Sequence, residues 1–109
     1  MAFDVKSMVG DMLHAAAGAL DKKWPAAKDY AESEFGKIAQ SIVTIGKLTA
    51  AGTMKREEAI LQLEIQKNAS RAVLCTIEGL GLLAVEAAIN AALDVIKSTV
   101  NTALGWTLL

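Results

Sequence analysis

Glu86, Asn90 and Asp94 follow one another at one-turn spacing in a stretch that is otherwise almost wholly apolar, and Glu78 lies two turns before the first of them. On a helix these four side chains share one face. Carboxylates so arranged can ligate a hard cation, but a di-iron bundle site also needs Glu-x-x-His on two helices. The chain has one histidine, His14, and no glutamate stands three residues before it. The favoured reading of Glu78, Glu86, Asn90 and Asp94 is therefore a polar stripe on the wet side of a helix. Turned toward the centre of an assembly, the same stripe would fix register through hydrogen bonds, or line a small-ligand or metal cavity.

Two other residues have chemistry to offer. His14 and Asp11 lie at i,i+3, with no nucleophile near them to complete a catalytic set. Cys75 sits among Ala72, Val73, Leu74 and Ile77, a setting that predicts a buried, inert thiol. Neither a phosphate-binding glycine loop nor Cys/His metal spacing occurs, so the expected protein is not an enzyme and holds no cofactor.

The composition narrows the classes further. Lys and Arg number 11 against 12 for Asp and Glu, so there is no basic field to draw a nucleic acid backbone. With 109 residues the chain is expected to form one domain, residues 1–109. The apolar fraction is 53%, with only 5% aromatic, so Ala, Leu, Ile and Val supply the excess. A small domain leaves much of its surface wet, and this surplus predicts apolar area that one copy would not cover. A single cysteine and an N-terminal stretch without a basic and apolar leader predict a cytoplasmic location.

The elements that must position these residues read as helices throughout. Val5, Met8, Val9, Met12, Leu13, Ala16 and Leu20 keep three- and four-residue steps, which predicts a first helix over 4–23 with Asp4 as its N-cap. Trp24-Pro25 ends it, because the residue before proline is pushed out of the helical region and proline suits the first turn of the next helix. The second helix is expected over 25–51, with Tyr30, Phe35, Ile38, Ile42, Ile45 and Leu48 on one face, and with Gly36 and Gly46 admitting a close neighbour. Gly52 can close it in the left-handed conformation, and Thr53 can cap the third helix.

The third segment, 54–106, contains no proline. Its polar residues Glu57, Glu64, Asn68, Arg71, Glu78, Glu86, Asn90, Asp94, Lys97 and Asn101 hold one helical phase straight through Gly79-Leu80-Gly81. Those glycines disfavour a helix, yet the segment around them has no Asn, Asp, Ser or Pro from which to build a turn. The fold class read from this is all-α: an antiparallel bundle of three helices with a long third helix. The alternative, should that helix break at Gly79–Gly81, is a four-helix up-and-down bundle.

An unbroken helix of about 50 residues would be roughly 75 Å long, against a radius of gyration of ~13 Å for a compact chain of this size. It would have to project and find cover on a partner. The expected function is accordingly a structural or interaction protein acting as a small helical homo-oligomer. The expected interface lies along the second half: Leu80, Leu83, Val85, Ile89, Leu93, Ile96, Val100, Leu104 and Trp106. The three acids Glu78, Glu86 and Asp94 argue against a membrane span over 72–96. Contact with a membrane surface, with Trp24 and Trp106 as anchors, is the second reading.

Overall fold

A computed structural model describes residues 4–109, and all the regular structure among them is helical. Helix α1 is Val5–Leu20, α2 is Trp24–Ala50, α3 is Arg56–Leu74 and α4 is Leu82–Leu104. A 3-10 turn, Asp21–Lys23, joins α1 to α2; the backbone leaves the helical region at Asp21, at φ 51° and ψ −115°, whereas Trp24, expected to be pushed out of it before Pro25, is helical and opens α2.

Asp4 caps α1 as expected, its carboxylate accepting from the Lys6 N–H at 3.1 Å. The first reversal is made at Asp21, the one non-glycine residue among those described with positive φ, at 51°. Pro25 then occupies the first turn of α2, where its missing N–H costs no bond. Gly52 takes the left-handed conformation, φ 77°, just past the end of α2. Thr53 does not cap α3. Its hydroxyl turns back to donate to the Leu48 carbonyl, and the N-cap position passes to Lys55, whose N–H is held by the Glu58 carboxylate at 3.2 Å. A Cβ at Gly36 would meet nothing within 4 Å, so no helix approaches closely there.

The long third helix expected over 54–106 is divided. Backbone from Cys75 to Gly81 leaves the helix, and Gly79 sits at φ 83°. A left-handed glycine makes this turn without the Asn, Asp, Ser or Pro that usually builds one. The reason the chain reverses is tertiary. Folding back lets α4 lay Val85, Ile89, Ala92, Ile96 and Val100 against the rest of the core, and α1 is the helix it packs on most extensively. At ~1.5–3 kcal/mol for each fully buried Val, Leu or Ile, that burial far exceeds the cost of interrupting a helix. The all-helical class is as expected, and the segment 54–106 breaks within 75–81, where the alternative reading put the break.

Contacts run α1 to α2, α2 to α3, and α4 back to α1, with a much thinner seam between α3 and α4. The core is built on Met8, Met12 and Ala16 of α1, Phe35, Ile38 and Ile42 of α2, and the α4 residues just named. Helix α3 contributes least: Ala59, Leu63, Ser70 and Leu74 are its buried residues. The buried Ser70 hydroxyl accepts from Gln66 at 3.2 Å. The bundle measures 43 × 22 × 18 Å with a radius of gyration of 13.7 Å. No described helix is long and apolar enough to cross a membrane.

Candidate functional site

The hairpin at 75–81 changes what the polar stripe does. On one straight helix its residues would follow one face; once the chain folds back, the part on α3 and the part on α4 confront each other across the thin seam. Glu64 and Lys67 of α3 stand opposite Asn90, Asp94 and Lys97 of α4, and together with Ile60, Leu63, Leu93, Leu108 and Leu109 they line a cleft of about 220 Å³. Its floor is apolar and its rim charged. The rim carries Glu64 and Asp94 against Lys67 and Lys97, so it balances in formal charge and favours neither an anion nor a cation. Lys67 already pairs with Glu64 at 3.2 Å along α3.

Beyond the cleft, each end of the seam is tied. At one end Arg71 of α3 places Nε 3.7 Å from Glu86 Oε1 of α4, while its Nη1 donates to the Asn68 side chain. Both partners are partly exposed, which limits the pair to ~0–1 kcal/mol. At the other end the Arg56 guanidinium lies over the Trp106 ring, 5.3 Å from its centroid. Trp106 reaches that position because Gly105 ends α4 in the left-handed conformation, φ 79°, and turns the last residues back along the helix. Asn101 then holds them. Its Oδ1 accepts from the N–H groups of Leu108 and Leu109 at 2.9 and 3.1 Å, and its Nδ2 donates to the Leu109 carbonyl at 3.2 Å. Leu108 is thereby buried at the side of the cleft.

The residues singled out from sequence fall into separate places. Asn90 and Asp94 line the cleft and Glu86 pairs with Arg71 beyond it, but Glu78 is exposed in the turn and takes no part. Of the expected interface, Leu80, Val85, Ile89, Leu93, Ile96 and Val100 are buried within the single chain, Leu104 and Trp106 are half-buried, and Leu83 is 84% exposed. His14 is exposed. Cys75 is also exposed, at the end of α3 where the helical backbone stops, and not buried as its apolar neighbours predict. Among the described residues no group of His, Cys, Asp and Glu converges as a metal site.

Sequence reasoning did not find Arg56 as the partner of Trp106, nor the exposed apolar residues of α3. Ile60, Leu61 and Ile65 are 47%, 61% and 54% exposed. Ile60, Leu61, Leu63 and Ile65 spread over about 200° of the helix circumference, more than a single buried stripe could take, and that was a legible signal.

Comparison with protein-family models, with curated proteins and with solved structures gives no match.

Proposed function

We propose that this is a non-enzymatic interaction protein that works as a small helical homo-oligomer, most simply a dimer. The observation that carries the reading is where apolar side chains remain uncovered. Ile60, Leu61 and Ile65 on α3, and Leu82, Leu83 and Val95 on α4, are exposed, whereas Tyr30 is the one comparable residue described on the α1–α2 pair. Scattered exposed leucines are ordinary on a protein surface. Their concentration on the two helices that are least joined to each other marks the side where a partner surface adds most cover.

The geometry favours a protein partner over a lipid surface. Trp106, the expected anchor, stacks under Arg56, and Leu108 is turned into the fold, so the apolar end of the chain is engaged within the molecule. The balanced charge of the seam offers no attraction to anionic headgroups either. Light scattering over the micromolar range tests the reading. The expected mass is twice the 11.5 kDa of one chain; a mass of 11.5 kDa throughout would contradict it.

A further inference from the structure

We infer that two copies associate by exchanging α4 across the 75–81 turn, so that α3 and α4 of each chain straighten into one helix and each α4 packs on α1 of the other copy. The inference rests on the self-association reading above and names its partner surface. Helix α4 finds most of its cover on α1 and little on α3. Exchange replaces the α1–α4 contact within a chain by the identical contact between chains, so the burial that holds α4 is kept in full. The cost then falls on the turn alone.

That turn is poorly committed to reversal. Its left-handed residue is Gly79, and its backbone bonds are the short-range ones from Thr76 to Val73, from Ile77 to Leu74 and from Leu80 to Ile77. A straightened segment would regain the i→i−4 ladder. The phase of the sequence also fits a straight helix. At 100° per residue, the buried positions of α3 and those of α4 fall within one arc of about 160°, so a continuous α3–α4 would keep them on one side, a side that on the α3 half also carries Glu64, Lys67 and Arg71. Finally, Leu82 and Leu83, 55% and 84% exposed, stand immediately after the turn. In an exchanged pair the two straightened segments pass each other at the two-fold axis, which gives these side chains the cover they lack in one copy.

The test uses the full chain with Cys75→Ser and nitroxide labels at Glu64→Cys and Asn90→Cys, two positions that line the same cleft. Labelled chain is mixed into an excess of unlabelled chain, unfolded, refolded at high concentration and separated by size, so that each dimer holds at most one labelled copy. Pulsed electron spin resonance of the dimer is expected to give an intramolecular separation of about 39 Å, the rise of 26 helical residues; the monomer is expected to give a short one. A dimer with the short separation would overturn exchange while leaving self-association standing. Absence of any dimer would overturn both. Gly79→Ala penalises the left-handed turn and is expected to move half-association to a concentration about tenfold lower or more. Insertion of Gly-Ser-Gly-Ser after Gly79 relaxes the turn and is expected to move it the other way. Reversal of either shift, or no shift in both, would count against exchange.

Discussion

The Arg56 guanidinium lies 5.3 Å from the centroid of the Trp106 ring, and in doing so joins the first turn of α3 to the segment that follows α4. Together with the Arg71–Glu86 pair it fastens the two ends of a seam whose middle is open. A cation over an indole is worth ~0.5–1 kcal/mol at an exposed site. Arg56→Ala is expected to lower stability by about that amount, and Trp106→Ala by ~1–2 kcal/mol, because the half-buried ring is lost as well. Thermal unfolding of both single variants and the double variant checks this. The two losses should fail to add by ~0.5–1 kcal/mol; strict additivity would mean that the pair does not interact.

Asn101 gives a second handle on the same end of the bundle. All three of its bonds go to Leu108 and Leu109, and they keep Leu108 buried. Asn101→Ala is expected to cost ~1–3 kcal/mol, since it leaves the two backbone N–H groups without their acceptor. Asn101→Asp retains that acceptor and should cost less. Hydrogen exchange at the Leu108 and Leu109 amides should rise sharply in the alanine variant and much less in the aspartate one.

The buried face of α4 separates packing within one chain from contact between chains. Ile89 is 1% exposed and Leu83 is 84% exposed. Ile89→Ala is expected to destabilise by ~2–5 kcal/mol through lost transfer energy and a residual cavity. Leu83→Ala should fall within ~0.5 kcal/mol in dilute solution. Denaturant unfolding at low concentration measures both, and a large loss at Leu83 with a small one at Ile89 would place the wrong face of α4 in the core.

Cys75 reports on the turn directly. It is exposed in the folded protein, so a thiol-specific reagent should modify it under native conditions without prior unfolding. Protection until global unfolding would show the thiol buried, as an apolar helical setting would have it.

The helical class, the Asp4 cap, Pro25 in the first turn of α2 and the closing Gly52 were all legible, because each depends on a residue and its near neighbours. The division of the segment 54–106 was not. Helical phase runs unbroken through Gly79–Gly81, and a straight and a folded helix share the same local pattern. What separates them is the burial that Val85, Ile89 and Ile96 gain from α1, residues some seventy or more positions earlier in the chain, and that gain is written in no local window. The same blind spot hid the candidate site. Asn90 and Asp94 were found as a stripe, but the residues facing them, Glu64 and Lys67, become their neighbours only through the reversal. Arg56 and Trp106 likewise meet because both ends of the hairpin close on each other. The surplus of apolar residues predicts a partner along α4; much of it is met by α1, and the part left outside on these two helices lies on Ile60, Leu61, Ile65, Leu82, Leu83 and Val95.

The sheltering of α4 by α1 within one chain is the claim on which the rest stands, and small-angle X-ray scattering in the dilute limit tests it most directly. A compact particle is expected, with a radius of gyration close to the 13.7 Å of the Cα positions, enlarged slightly by its hydration shell, and a longest dimension near 43 Å. An elongated monomer with a longest dimension of roughly 75 Å, the length of an unbroken helix over the second half of the chain, would contradict it.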